Sequence, residues 1–250
     1  VRMKKRFAAF VSTVLAAALC ACSAAPKDVL PNKAAQPTEA PTQQAQTTQA
    51  APTEQPTPEP DPVQQLLEEM TLEQKVGQLF LVRPDSLDLS QTQDQINDAK
   101  ADGVTELTDA MRQTLAEYPV GGVVIFGKNL ESPQQITQFL DDLQQASDTP
   151  LFTAIDEEGG LVARLANNAA FDLPQYESAA AVGTSGNPED ARAMGRTIGG
   201  YLKEYGFNLD FAPVADVNTN PDNPVIGTRA FSSEPQTAAD LVGGACAGFA

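Results

Sequence analysis

The 250-residue sequence contains no histidine and only three cysteines. The lack of histidine excludes any mechanism in which an imidazole of this chain transfers a proton. Two of the cysteines, Cys20 and Cys22, lie close to the N-terminus, and Cys246 is the only other one. A framework of internal disulfide bonds is therefore excluded for the body of the protein.

Basic residues are also scarce. The chain has 16 lysines and arginines against 33 acidic residues, a formal net charge of −17. Such a charge argues against nucleic acid and against an anionic membrane surface as partners. It says little about a substrate, because an acidic surface often serves solubility alone.

The first residues have the pattern of an export signal. Four basic residues precede an apolar run, Phe7 to Leu19, that is too short to anchor a helix across a bilayer. The run ends in "LCAC", which is similar to the lipobox of bacterial lipoprotein precursors. We therefore predict a lipoprotein signal peptide at residues 1–21 and lipidation of Cys22, with an ordinary secretory peptide as the alternative. Either alternative predicts export, and the first predicts attachment to the outer side of the bacterial cell membrane through the lipid only.

Residues 22–61 are rich in Ala, Pro, Thr and Gln and contain few large apolar side chains. Such a segment buries too little surface to offset the entropy lost on ordering. We expect a disordered linker that separates the lipid anchor from a globular body at residues 62–250.

The globular part alternates predicted helices and strands. Helix starts, where a capping residue or proline precedes an amphipathic run, are predicted at Asp61–Pro62, Thr71, Ser132–Pro133, Asn187–Pro188 and near Pro235. Strands are predicted from short apolar runs at Leu79–Val82, Val123–Phe126, Leu151–Ile155 and within residues 207–217. Residues 84–105 are polar and weakly periodic, which predicts an insertion or a long loop.

This alternation is typical of an α/β fold with a parallel sheet covered by helices. A closed (β/α)8 barrel needs eight such units and about 250 residues, whereas the ordered part supplies about half of them. We therefore expect the N-terminal part of a TIM (β/α)8-type barrel in a truncated chain. A doubly wound sheet is the alternative, but no glycine fingerprint follows the first strand.

The loops after parallel strands converge on one face of such a fold, where functional residues concentrate. Asp156 directly follows a predicted strand in "IDEEGG", and its carboxylate could accept hydrogen bonds from sugar hydroxyls. Gly159 and Gly160 would then let the backbone approach a ligand. Two alternatives are a charged turn and a Mg²⁺ or Ca²⁺ site formed by three adjacent acids.

Two arginines are further candidates. Arg164 follows Asp156 by eight residues, and Arg229 lies in a loop rich in Gly, Pro and Asn. Both could donate to substrate oxygens, or each could form a surface salt bridge. Three polar residues near Arg229 could equally brace that loop or contact a ligand, namely Asp210, Asp216 and Asn218.

Four segments occur in an order that resembles a known family. They are "MTLEQKVGQLF", "VGGVVIFGKN", "FTAIDEEGGLVARL" and "NLDFAPVADVNTNPDNPVIGTRAFSSEP". Together they are similar to the N-terminal barrel of glycoside hydrolase family 3, in particular its β-N-acetylhexosaminidase branch. The resemblance runs from about residue 64 to the end of the chain.

The resemblance implies a sugar site without metal or cofactor. Asp156 matches the aspartate that binds hydroxyls of the terminal sugar, Arg164 the arginine that follows it, and Arg229 a substrate-contacting arginine. Glu157 and Glu158 are then expected to brace the site or to face solvent. Leu161 departs from the family pattern, in which an arginine often follows the two glycines, and this leaves the fine specificity open.

The resemblance assigns no catalytic residue to this chain. Retaining glycosidases need a nucleophile and an acid/base. In the similar branch the acid/base is a histidine and the nucleophile an aspartate, both in blocks that we expect beyond Ala250. The implied activity is release of terminal β-linked N-acetylglucosamine from cell-wall fragments or other oligosaccharides. A β-glucosidase or β-xylosidase of the same family is one alternative, and a non-catalytic glycan-binding surface lipoprotein is another.

Overall fold

A computed structural model describes residues 61–250. The predicted signal peptide, the lipidation site Cys22 and all of the predicted linker except Asp61 lie outside the described residues. The structural findings therefore concern the predicted globular part.

The described part opens with two short helices, α1 (Pro62–Glu69) and α2 (Leu72–Gly77). The Asp61 carboxylate accepts from the backbone N–H of Val63, and Thr71 forms a reciprocal capping box with Gln74. Both predicted helix starts are therefore confirmed, because side-chain oxygens satisfy the first N–H groups of each helix.

The first strand is shorter than predicted. β1 contains only Leu81–Val82. The backbone N–H groups of Leu79 and Phe80 instead donate to Val76 and Gly77 in the turn after α2. Those two residues therefore end the helix and are not part of the sheet.

The segment after β1 is structured and anchored. It contains a 3₁₀ turn at Pro84–Leu87 and the helix α3 (Gln93–Asn97). Asp85 is fully buried and lies 3.2 Å from the Lys128 ammonium and 3.0 Å from the Asn129 amide nitrogen. Of the two predicted possibilities, the long loop was wrong, because the segment contains these two elements and Asp85 fixes it to Lys128 and Asn129.

The later elements alternate as the sequence indicated. The other strands are β2 (Gly122–Ile125), β3 (Phe152–Ile155), β4 (Glu157–Gly159), β5 (Val162–Ala163) and β6 (Leu209–Asp210). The other helices are α4 (Asp109–Glu117), α5 (Pro133–Gln145), α6 (Ala179–Gly183), α7 (Pro188–Glu204) and α8 (Pro235–Phe249).

Four strands form one parallel sheet in the order β1-β2-β3-β6, and β4 and β5 form a separate antiparallel hairpin. Each sheet strand lies next to the one that preceded it in the chain, apart from the inserted hairpin. A doubly wound sheet reverses its strand order at a switch point, and this sheet does not. The alternative of a doubly wound fold is therefore wrong, and the α/β arrangement is that of a TIM barrel.

The core lies between the sheet and its helices. Helix α5 buries Ile136, Phe139, Leu140 and Leu143, the face predicted from helical spacing. Helix α7 likewise buries Met194, Ile198 and Leu202. Each such side chain contributes roughly 1.5–3 kcal/mol on burial, so these stripes hold the helices against the strands. None of the helices between residues 61 and 250 has the length and apolar character needed to cross a bilayer.

Candidate functional site

The candidate site lies where the parallel strands end. Arg83 follows β1, Phe126 follows β2, Asp156 follows β3, and Asp210 is the last residue of β6. Because the four strands run parallel, their carboxyl ends share one edge of the sheet. The residues singled out after separate strands are thus brought to the same face.

The β4–β5 hairpin was not predicted as a strand pair. Its turn contains Gly159 and Gly160, with φ angles of 81° and 71° that side chains rarely adopt. A Cβ atom on Gly159 would overlap the Met194 side chain, and one on Gly160 would lie 2.8 Å from the Ser178 Cα. The sequence predicted that the backbone of these two glycines lets a ligand come close. In the structure this backbone instead lies close to other parts of the protein, Met194 on α7 and Ser178 before α6.

Asp156 and Arg164 form a partly exposed ion pair. The Arg164 Nη2 donates to the Asp156 Oδ2 at 2.9 Å, and both side chains remain about 30% exposed, at 32% and 27%. Within residues 61–250 the second carboxylate oxygen of Asp156 has no hydrogen-bond donor. The structure therefore joins two of the three predicted sugar-binding residues and leaves an acceptor available to a ligand.

Glu157, the next residue, is fully buried. Its carboxylate accepts from the backbone N–H groups of Leu165 and Ala166 at 2.8 and 2.9 Å, and from the Tyr201 hydroxyl at 2.8 Å. Burial, with the nearby Glu157 charge, raises the pKa of Tyr201, which keeps the hydroxyl a donor. Glu157 therefore braces the hairpin against α7. Of the two roles predicted for it, bracing the site or facing solvent, the structure shows the first.

Glu158 is paired with Arg229. The Arg229 Nε and Nη2 donate to its two oxygens at 2.7 and 2.6 Å, and the Glu158 side chain is only 6% exposed. Hydrogen bonding to Glu158 raises the pKa of Arg229. Glu158 therefore does not face solvent. Arg229 lies beside the site, and its Nε, Nη1 and Nη2 all donate to Glu158 or to the Val225 carbonyl.

The three adjacent acids do not meet at one point. Asp156 is bound to Arg164, Glu157 to the hairpin backbone and Tyr201, and Glu158 to Arg229. The alternative of a Mg²⁺ or Ca²⁺ site formed by these acids is wrong, because their carboxylates have separate partners.

Asp210 is the acid most affected by its surroundings. Burial raises its pKa to about 7, opposed in part by the hydrogen bond from the Glu157 N–H to its Oδ1 at 2.9 Å. Its Oδ2 is buried without a hydrogen-bond partner in the described part of the chain. Asp216 is exposed, whereas the Asn218 N–H donates to Ser232 across the loop.

The sequence of residues 71–249 matches the protein-family model that describes the glycosyl hydrolase family 3 N-terminal domain. The chain belongs to this family. The observed α/β fold with its parallel sheet agrees with the TIM-barrel-like domain of the family, so the resemblance and the fold predicted from sequence are confirmed.

Individual relatives agree with this placement. A protein named beta-hexosaminidase A from Pseudoalteromonas piscicida is 36% identical over 143 residues, which are 55% of this chain and 24% of that protein. A beta-hexosaminidase from Nitrosomonas eutropha is 35% identical over 141 residues, 55% of this chain and 40% of that protein. The part of this family 3 chain that matches spans less than half the length of either relative.

Solved structures give the same result. A family 3 beta-N-acetylglucosaminidase from Paenibacillus sp. str. FPU-7 has 34% identity and a TM-score of 0.60, covering 72% of this chain and 31% of that one. A beta-N-acetylhexosaminidase from Beutenbergia cavernae has 26% identity and a TM-score of 0.57, covering 72% and 51%. This family 3 chain therefore shares its fold with a beta-N-acetylglucosaminidase and a beta-N-acetylhexosaminidase.

Sequence reasoning missed Arg83 in this family 3 site. It is the first residue after β1, and its guanidinium carbon lies 4.5 Å from the centroid of the Phe126 ring. A polar residue directly after a predicted strand was the signal that could have identified it. Arg164 approaches the same ring at 5.6 Å, so the two arginines share one aromatic surface.

Proposed function

We propose that this chain forms sugar-binding structure in a retaining glycosidase that releases terminal β-linked N-acetylglucosamine from cell-wall fragments or other oligosaccharides. The observation that carries the proposal is the Asp156–Arg164 pair at a strand end, with one Asp156 oxygen open. Membership of family 3 and relatives named beta-hexosaminidase support it.

The chemistry of the pair suits a sugar. A carboxylate can accept from adjacent hydroxyls, and a neighbouring guanidinium can donate to ring substituents. The rigid end of β3 and the Glu157 brace hold both groups in place, which lowers the entropy lost on binding. We propose Asp156 and Arg164 as direct ligands of the sugar, with Arg229 as a further contact.

No residue of this chain is proposed as nucleophile or acid/base. Retention requires both roles on an oxocarbenium-like transition state, and this sequence contains no histidine. The proposed role of these 250 residues is therefore substrate binding.

The test compares 4-nitrophenyl N-acetyl-β-D-glucosaminide with 4-nitrophenyl β-D-glucoside as substrates of the complete gene product. We expect faster hydrolysis of the first, and a loss of at least about tenfold in kcat/KM when Asp156→Asn removes a charged hydrogen-bond acceptor. Asp142→Asn is the matched control, because Asp142 also pairs with an arginine, Arg112, but on the outer helix α5.

The result also separates the alternatives. Equal or reversed preference would favour a β-glucosidase or β-xylosidase. Sugar binding without turnover would favour a glycan-binding surface lipoprotein. Unchanged kinetics in the Asp156→Asn protein would reject Asp156 as a ligand.

We further propose export and attachment to the outer side of the bacterial membrane through lipidated Cys22, on the basis of the leader sequence. Fractionation of cells that express the wild-type and Cys22→Ser proteins tests this proposal. Equal membrane association of both would refute it.

A further inference from the structure

A carboxyl group on the neighbouring strand holds the backbone next to Asp156. Asp210, the last residue of β6, lies opposite Ile155 in the parallel register, and its Oδ1 accepts from the N–H of Glu157 at 2.9 Å. That N–H belongs to the peptide group that joins Asp156 to Glu157. We propose that Asp210 is a positioning residue of the sugar site, which acts on the sugar only through Asp156. This inference rests on the proposed function, because it takes Asp156 as a ligand of the sugar.

Two hydrogen bonds to the end of β6 flank Asp156. On its N-terminal side, the Ile155 carbonyl accepts from the N–H of Phe211 at 2.9 Å. On its C-terminal side, the N–H of Glu157 donates to the Asp210 carboxyl group. The second bond lies beyond the last residue of β3 and is made by a side chain. The Asp210 side chain therefore extends the hold of β6 on β3 by one peptide group, past Asp156.

The same contact reaches the second member of the ion pair. The Glu157 carboxylate accepts from the N–H of Leu165, the residue after Arg164. Glu157 thus follows Asp156 in the chain and binds the backbone next to Arg164. Because Asp210 holds the N–H of Glu157, its loss should let both groups of the pair move relative to a sugar.

Asp210 can hold this peptide group without adding a charge next to Asp156. Burial, together with the nearby charges of Glu157, Asp156 and Glu158, raises the pKa of Asp210 to about 7. At about pH 6 most Asp210 side chains are therefore protonated, and the unprotonated oxygen still accepts from the N–H. A neutral acceptor suits this position, because a second negative charge close to Asp156 would be repelled.

The test measures kcat/KM of the complete gene product on 4-nitrophenyl N-acetyl-β-D-glucosaminide at about pH 6. Asp210→Ala removes the acceptor oxygen, and we expect kcat/KM to fall about tenfold because the Asp156 carboxylate is no longer held in place. Asp210→Asn keeps a neutral acceptor oxygen and should retain kcat/KM within about threefold of the wild type.

A double-mutant cycle separates positioning from general support of the fold. If Asp210 acts through Asp156, Asp210→Ala should lower kcat/KM by less than about twofold in a protein that already carries Asp156→Asn. A residue that only stabilises the fold would cause the same loss in both backgrounds. Should Asp210→Ala fail to fold, Asp210→Leu replaces it in the cycle, since leucine fills the space without supplying an acceptor.

Asn208→Ala is the matched control. Asn208 lies two residues before Asp210, and its Oδ1 accepts from the N–H of Thr153 at 2.8 Å, so it makes the same kind of contact toward the other end of β3. We expect Asn208→Ala to lower the melting temperature and to change kcat/KM by less than about twofold. Thermal unfolding of every variant is measured alongside the kinetics.

The possible outcomes are distinct. Wild-type kcat/KM in Asp210→Ala, with activity lost in Asp156→Asn, overturns this inference and leaves the proposed function standing. A full loss from Asp210→Ala in the Asp156→Asn background also overturns it, as does an equal loss in Asn208→Ala. Wild-type kinetics in Asp156→Asn would reject the assignment of Asp156 as a sugar ligand, and this inference with it.

Discussion

Two arginine–carboxylate pairs lie at the β4–β5 hairpin, and they share their chemistry and differ in their surroundings. Asp156 and Arg164 meet through one hydrogen bond and are both about 30% exposed, at 27% and 32%. Glu158 and Arg229 meet through two hydrogen bonds, and Glu158 is only 6% exposed. The first pair is available to a ligand, whereas the second fastens the loop after β6 to the hairpin.

This difference shows that burial, more than residue type, decides whether an arginine–carboxylate pair is available to a ligand or holds parts of the protein together. Exposed ion pairs contribute at most about 1 kcal/mol because water already solvates both partners. Removing one partner of a buried pair leaves an uncompensated charge, at a cost of about 3–5 kcal/mol. Substitutions in the Glu158–Arg229 pair should therefore lower stability more than substitutions in the Asp156–Arg164 pair.

The largest effect is expected for Arg229→Met, which leaves the Glu158 carboxylate buried without its partner. We expect the free energy of unfolding to fall by about 3–5 kcal/mol, measured by urea denaturation. Adding Glu158→Gln should recover part of this loss, because the buried charge is then removed.

The matched control is Arg192→Met. Arg192 pairs with Glu189 at 3.5 Å on α7, and the Glu189 side chain is 71% exposed. This substitution should change stability by less than about 0.5 kcal/mol. Equal losses in the two arginine variants would contradict the bracing role of Arg229.

A smaller and pH-dependent effect is expected at Asp210, which contacts the N–H of Glu157 between the two pairs. Burial raises its pKa to about 7, so the folded state keeps a proton that the unfolded chain releases near pH 4. This contribution to stability is full below pH 4 and is lost as the pH rises toward 7.

Asp210→Asn should abolish this loss, because asparagine keeps the acceptor oxygen and does not ionise. Relative to the wild type, the variant should gain on the order of 3 kcal/mol between pH 4 and pH 8. Unfolding free energies of both proteins across this range test the expectation. A constant difference between them at every pH would show that Asp210 does not titrate in this way.

Among the residues of the site, the smallest effect on stability is expected for Asp156→Asn. Because the pair with Arg164 is partly exposed, the free energy of unfolding should change by less than about 1 kcal/mol. A loss as large as that of Arg229→Met, measured in the same denaturant, would place Asp156 among the bracing residues and remove the contrast between the pairs.

The sequence predicted those features that depend on neighbours along the chain. Helix starts at Thr71 and at Asn187–Pro188 follow from side-chain capping, and the buried face of α5 follows from helical spacing. The parallel sheet followed from the alternation of helices and strands, whereas its strand order was left open between a barrel and a doubly wound sheet.

Features set by distant contacts were not predictable in this way. Asp85 is buried only because Lys128 and Asn129 lie beside it in the fold. The same applies to the separate partners of Glu157 and Glu158, two adjacent acids in one charged stretch. At the site, the sequence indicated Asp156, Arg164 and Arg229. It did not indicate Arg83, because the stacking of Arg83 on Phe126 is a tertiary contact.

The three hydrogen bonds to Glu157 also connect the proposed sugar site to the outer helices. Arg164 directly precedes Leu165, whose N–H is held by Glu157, and the same carboxylate holds Tyr201 on α7. Displacement of α7 would therefore withdraw the Tyr201 hydroxyl from Glu157 and leave the two backbone N–H groups next to Arg164 as the donors to that carboxylate. The affinity of this site for a sugar should depend on how α7 packs against α8, at a distance from any atom that the sugar would touch.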